Sequence, residues 1–148
     1  MNKEILHSAI GLLSRREHSE KELTQKLKVK QHPLDEIAPV IDYLVENNYL
    51  SNIRFAESVI RNKVNRGYGW QYIKQALKSK GIKREIYLAV LEEQSIDWYQ
   101  QAQEAYQKRF GSSEILDQKD KAKRLRFLQY RGYSIDECMA ALNTDYID

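Results

Sequence analysis

The side chains able to do chemistry in this sequence do not converge. His7, His18 and His32 share no spacing that would bring imidazoles together on one metal ion. His18 and His32 fall near helix ends and are expected to face solvent. Gly67-Tyr68-Gly69 is glycine-rich, but it joins two helical patterns rather than a strand and a helix. Ending one helix and turning the chain is its expected task, not cradling a phosphate. The adjacent acids Asp35-Glu36, Glu92-Glu93 and Asp136-Glu137 point to different faces of their helices. The first and last of these pairs lie in opening turns, where the helix dipole favours negative charge. Cys138 is the one cysteine, so no internal disulfide or cysteine-based metal cluster forms, and a small buried thiol is expected. No nucleophile stands beside a base. The expectation is a protein with no enzymatic activity, cofactor or metal.

Charge is more informative than chemistry. The net charge is only +3, yet Ser58 to Arg84 holds 8 basic side chains and no acid. Glu85 to Gln107 then holds 5 acids and no base, and Lys119 to Arg131 holds 6 bases against the single acid Asp120. Blocks of this kind suit faces that meet nucleic acid or an acidic protein, or else plain solvated helix surface. Arg61, Lys63, Arg66, Lys74, Lys78, Lys80, Lys83 and Arg84 form the central candidate set. Lys123, Arg124, Arg126 and Arg131 form the second. Tyr68, Trp70 and Tyr72 stand among the first set and offer aromatic anchors to bases or to a protein, or merely cover the turn between helices.

The elements that hold these residues read as helices throughout. Ile5, Ala9, Leu12 and Leu13 make one apolar face. Ser19 with Glu22 reads as a capping box opening a second helix that runs through Leu27. Pro33 begins a third, with Ile37, Val40, Ile41 and Leu44 in a stripe, ended at Asn47-Asn48. Ser51 caps a fourth carrying Phe55, Ala56, Val59, Ile60 and Val64, which Gly67 closes. A fifth carries Ile73, Ala76 and Leu77 and ends at Gly81; a sixth carries Ile86, Val90 and Leu91. Trp98, Ala102, Ala105 and Tyr106 open another round, followed by Leu125 and Leu128, then by Ile135, Cys138, Ala141 and Leu142. With 2 prolines and 6 glycines, an all-β fold is disfavoured. No stretch approaches the ~20 apolar residues that span a bilayer, and a cytoplasmic protein is expected.

The rounds repeat. Leu27, Leu77 and Leu128 superpose at intervals of 50 and 51 residues, and Lys30, Lys80 and Arg131 follow three positions later. Val40, Val90 and Ala141 align further on, directly followed by Ile41, Leu91 and Leu142. Gly81 and Gly132 coincide, while the first round has Gln31 there. The expected architecture is all-α, as three tandem three-helix repeats over 1–50, 51–94 and 95–148. Such small modules must share core with their neighbours, which favours an elongated molecule.

Tyr49-Leu50-Ser51-Asn52-Ile53-Arg54-Phe55-Ala56, then Arg66-Gly67-Tyr68-Gly69, then Ile73-Lys74-Gln75-Ala76-Leu77-Lys78-Ser79-Lys80-Gly81-Ile82 resembles the signature of the RecX family. Ser19 to Leu23 with Lys26-Leu27 is similar to that family's first repeat, and Phe127 to Ser134 to its last. Ser51-Asn52 replaces the usual acidic pair, Trp70 stands where proline is common, and Ala76 replaces the usual glutamate. The resemblance implies a curved protein that lies along the groove of the RecA nucleoprotein filament and blocks its ATPase, strand-exchange and coprotease activities. From the residues themselves, a net charge of +3 leads us to expect weak or secondary contact with DNA, the lack of a long apolar stretch no membrane, and the lack of an unexplained apolar stripe a monomer. A helical nucleic-acid-binding protein acting independently of RecA is the alternative, and a helical adaptor for another protein is a third.

Overall fold

The structure, a computed structural model, describes residues 1–143. Those residues form nine helices and no strand: α1 (Lys3–Leu13), α2 (Glu20–Val29), α3 (Leu34–Glu46), α4 (Asn52–Asn65), α5 (Trp70–Ser79), α6 (Arg84–Gln94), α7 (Trp98–Phe110), α8 (Gln118–Tyr130) and α9 (Ile135–Leu142). The all-α architecture of tandem three-helix repeats read from the sequence is the one found.

Short polar side chains open most of these helices by accepting from an otherwise unpaired first-turn N–H. Asn2, Ser19, Asp97, Asp117 and Ser134 do so at α1, α2, α7, α8 and α9, and Ser51 Oγ accepts from Arg54 N at 3.1 Å for α4. The full reciprocal capping box occurs at Ser134 and Glu137. At Ser19 only half of the expected box forms. Ser19 accepts from Glu22 N, but the Glu22 carboxylate turns to Arg16 and Lys80 instead, because two cations outbid one backbone amide. Pro33 stands just outside α3 with an extended backbone, rather than inside its first turn.

The second helix of each round ends in the same way. The carbonyls of Leu27, Leu77 and Leu128 accept from the N–H groups of His32, Ile82 and Tyr133, at 3.3, 3.1 and 3.2 Å. Between them lie Gln31, Gly81 and Gly132, with φ of 70°, 79° and 101°. This is the Schellman arrangement, in which one left-handed residue lets the chain reverse. The three leucines are fully buried, so the same repeat position anchors both the core and the turn.

The chain divides into two compact units: Met1–Ser58 with Leu77–Val90, and Val59–Ala76 with Leu91–Asp148. Helices α4, α5 and α6 each contribute residues to both. The first unit is built on Ile5, Ala9, Leu23, Leu27, Ile37, Val40, Ile41, Leu44 and Leu50. The second is built on Ala102, Tyr106, Leu128, Tyr133, Cys138, Ala141 and Leu142. Burial pushes the Cys138 thiol up to about 11, as befits an inert core cysteine.

Candidate functional site

In the second unit the end of α4 and the start of α5 bring cations and aromatic rings together. The Tyr68 and Tyr72 rings stack with centroids 4.1 Å apart. Lys63 Nζ lies 5.3 Å from the Tyr68 ring and 5.6 Å from that of Tyr72. Arg66 lies 5.9 Å from Tyr68. Arg131, from the last module's candidate set, is drawn into the same cluster, with its guanidinium 4.9 Å from Tyr68 and 5.2 Å from Phe127. Cations held against ring faces are favoured by the aromatic quadrupole, and they keep their charge available to a partner. Trp70 is half-buried and packs at 6.2 Å against Trp98, whereas Tyr72 remains exposed.

A backbone junction fixes this cluster. Gly67 adopts φ +85° and closes α4. Gly69 serves a purpose that the sequence alone did not reveal: its N–H donates to Arg131 O at 2.6 Å, and Gln71 N–H donates to Gly132 O at 3.0 Å. A Cβ on Gly69 would lie 2.5 Å from the Gly132 carbonyl carbon, and one on Gly132 would lie 2.5 Å from Tyr72 N. Two interhelical turns therefore press main chain against main chain. Carbonyls at and just beyond the end of α4 also accept side-chain donors from this side. Gln101 Nε2 donates to Val64 O, Arg131 donates to Arg66 O at 3.0 Å, and the Tyr133 hydroxyl donates to Gly67 O at 2.8 Å. Burial drives the Tyr133 hydroxyl well above its ordinary pKa, so it stays a donor.

Other candidates are distributed over both units. Arg61 is exposed and Lys74 half-buried in the second unit; Lys78, Lys80, Lys83 and Arg84 are exposed in the first. Lys123 and Arg126 are exposed on α8. Arg124 is the exception and is withdrawn from the contact set. It is 4% exposed, donating to Tyr106 Oη at 2.7 Å, Ser113 O at 2.8 Å and Glu114 O at 3.0 Å, and pairing with Asp120 at 3.1 Å. It ties the α7–α8 connection to the core. Lys108 and Arg109, which the charge runs passed over, are exposed at the end of α7, with Arg109 5.6 Å from the Phe127 ring. Their signal was local: Lys108-Arg109-Phe110-Gly111 sets bases beside an aromatic ring and a glycine, the residue types found in another order at Arg66-Gly67-Tyr68.

The first unit holds a polar cluster of another kind. Glu22, nearly buried, takes a two-pronged contact from Arg16 at 2.7 and 3.0 Å and a third from Lys80 at 3.3 Å. Burial alone would raise its carboxyl, but Arg16 and Lys80 outweigh that and hold it at about 2. His18, expected at the surface, is 1% exposed. Lys26 Nζ has only protons to give, so His18 Nε2 accepts from it at 2.8 Å and Nδ1–H donates to Arg16 O at 3.1 Å. Burial lowers the His18 pKa and keeps the ring neutral. Among the described residues no group of three or more metal-ligating side chains gathers. No helix there is long and apolar enough to cross a membrane.

Comparison with known proteins agrees along the whole chain. Residues 6–44, 53–91 and 96–142 match, in order, the family models for the first, second and third three-helix domains of RecX. The chain is similar to the regulatory protein RecX of Vibrio campbellii, with 41% identity over 92% of this chain and 88% of the relative. It is similar to that of Vibrio cholerae serotype O1, with 43% identity over 95% and 93%. Its fold matches the crystal structure of RecX from Lactobacillus salivarius with a TM-score of 0.78, covering 98% of this chain and 97% of that one at 23% identity.

Proposed function

The chain belongs to the RecX family of regulatory proteins, and from that we propose that it binds the RecA–DNA filament and inhibits RecA ATPase, strand exchange and coprotease activity. The observation that carries this reading is the match of three successive modules, in order, over nearly the full chain. The structure supports it with cations held ready rather than neutralised. Among the described residues, ion pairs join Arg16 and Lys80 to Glu22, Arg54 to Glu17, and Arg124 to Asp120, leaving the Lys63, Arg66 and Arg131 cluster without a carboxylate. The proposed contact set is Arg61, Lys63, Arg66, Lys74, Lys78, Lys83, Arg84, Lys123, Arg126 and Arg131, together with Lys80, whose charge is shared with Glu22, and with Tyr68 and Tyr72 as aromatic anchors. The protein acts as a non-enzymatic monomer in the cytoplasm, and DNA contact is secondary at a net charge of +3.

The test is RecA-stimulated repressor cleavage together with joint-molecule formation, each titrated with the purified chain. Inhibition of both at ratios near one chain per few recombinase subunits is expected. Unimpaired cleavage and strand exchange at saturating chain would overturn the reading.

A further inference from the structure

We propose that the second unit contains a phosphate-binding cleft formed by Arg66, Lys108, Arg109 and Arg131 over Ala105 and Phe127. These side chains line an open cleft of about 230 Å³. The inference needs no recombinase and does not rest on the filament reading.

The first argument is charge. Four cations border one hollow, and among the described residues none of the four takes part in an ion pair. Glu104, one helical turn before Lys108, lines the adjoining hollow that Arg66 and Lys108 share, but not this cleft, and accepts from Gln100 at 3.2 Å. The second argument is preorganisation. Arg131 is held between Tyr68 and Phe127, and Arg109 lies 5.6 Å from Phe127 and 5.9 Å from Phe110. A guanidinium already fixed against rings loses little freedom when an anion arrives.

A third argument removes an objection. Arg66 and Gly67 follow the C-terminal end of α4, Lys108 and Arg109 lie in the last turn of α7, and Arg131 caps α8. Each is the negative pole of a helix, which by itself would repel an anion. At α4 the carbonyls of Val64, Arg66 and Gly67 already accept from Gln101, Arg131 and Tyr133, and the ends of α7 and α8 carry the cleft's own cations, which offset their poles. A phosphoryl group also fits the donor set better than a carboxylate does. Three guanidiniums and an ammonium, reaching the cleft from three places in the chain with Lys108 and Arg109 both on α7, match several oxygens around one tetrahedral centre.

The experiment uses the full chain alone, with a fluorescent short oligothymidylate read by anisotropy at low salt. Lys108→Gln with Arg109→Gln is expected to weaken binding by roughly tenfold and to flatten the log–log salt slope by about 1.4, two contacts on a single strand. Lys3→Gln with Lys28→Gln removes the same charge from the first unit and is expected to stay within about twofold of the parent. Because Arg109 also covers two rings, Lys108→Gln alone serves as the variant with no packing to lose, and should still weaken binding by about threefold.

Unlabelled ATP, inorganic phosphate and an acidic polyglutamate peptide are then added as competitors at matched ionic strength. Displacement by ATP or phosphate shows that an isolated phosphoryl group is enough; displacement only by a second oligonucleotide assigns the cleft to a strand. Either outcome supports the site. Unchanged binding by both cleft variants overturns it, as does an equal loss in the Lys3 and Lys28 control. Displacement by polyglutamate as readily as by oligonucleotide would also overturn it, assigning the cleft to protein carboxylates.

Discussion

A methyl group added at Gly69 would sit 2.5 Å from the Gly132 carbonyl carbon and 2.6 Å from Tyr133 N, both main-chain atoms that cannot swing aside. Gly69→Ala should therefore cost at least about 3 kcal/mol in urea unfolding, through forced separation of the two turns. Gly11, inside α1 with nothing within 4 Å of its would-be Cβ, is the contrast. Gly11→Ala should add about 0.5–1 kcal/mol by limiting the unfolded chain. Acid titration addresses Glu22 and His18. Glu22 is held at about 2 against an ordinary 4.5, so its contribution is complete above pH 4.5 and is lost as pH falls towards 2. His18 is depressed from 6.5, so the folded state is disfavoured progressively as pH falls below 6.5. Stability should decline in two stages on acidification, and Glu22→Gln should shrink the lower stage, leaving the share of Asp120, whose pKa the Leu116 N–H and Arg124 also lower, while costing roughly 2–3 kcal/mol at neutral pH. Individual charges were only partly legible at this scale. Arg124 looks like its neighbours Lys123 and Arg126 in sequence, and only the Tyr106 hydroxyl and the Ser113 and Glu114 carbonyls, drawn from a distant turn, reveal it as internal.

At the scale of elements the sequence was more readable, because helix ends are written in local chemistry. Ser51, Ser134 and Gly67 announce caps and stops within four residues of where they act, and each acts there. The repeat of Leu27, Leu77 and Leu128 in the sequence marks three positions after which the chain turns alike. What stayed hidden was the meeting of turns. Gly69 and Gly132 lie far apart in the chain, and no local pattern says that their backbones touch. The repeat also exposes one imperfect copy. Gln31 occupies at φ 70° the position where the later rounds place glycine. Releasing a left-handed side chain gains about 1–2 kcal/mol, against about 0.5–1 kcal/mol of extra chain freedom when unfolded. Gln31→Gly should thus raise stability by about 0.5–1 kcal/mol in the same urea assay, and a loss of stability would show that the Gln31 side chain contributes beyond its backbone.

For the molecule as a whole, sequence repeat and compactness divide the chain differently. The family models mark three modules, while the compact units split α4, α5 and α6 between them. A repeat is a unit of sequence; a compact unit follows whatever core a helix face joins, and amphipathic spacing does not name its partner. Charge at this scale is equally a matter of distribution: +3 overall, with an acid-free basic block from Ser58 to Arg84 that takes in the whole of α5. Lys74 and Lys78, one turn apart on α5, lie in that acid-free block. Lys74→Glu with Lys78→Glu should raise the concentration needed for half-inhibition of RecA by roughly tenfold or more while circular dichroism stays helical.

The most direct measurement is the ATPase rate of RecA on single-stranded DNA, titrated with this chain, beside a binding assay on the same DNA without RecA. The account predicts inhibition at concentrations where bare DNA remains unbound. Full ATPase activity alongside tight, salt-sensitive binding to bare DNA would contradict it, and would make the protein a nucleic-acid binder that acts without the recombinase.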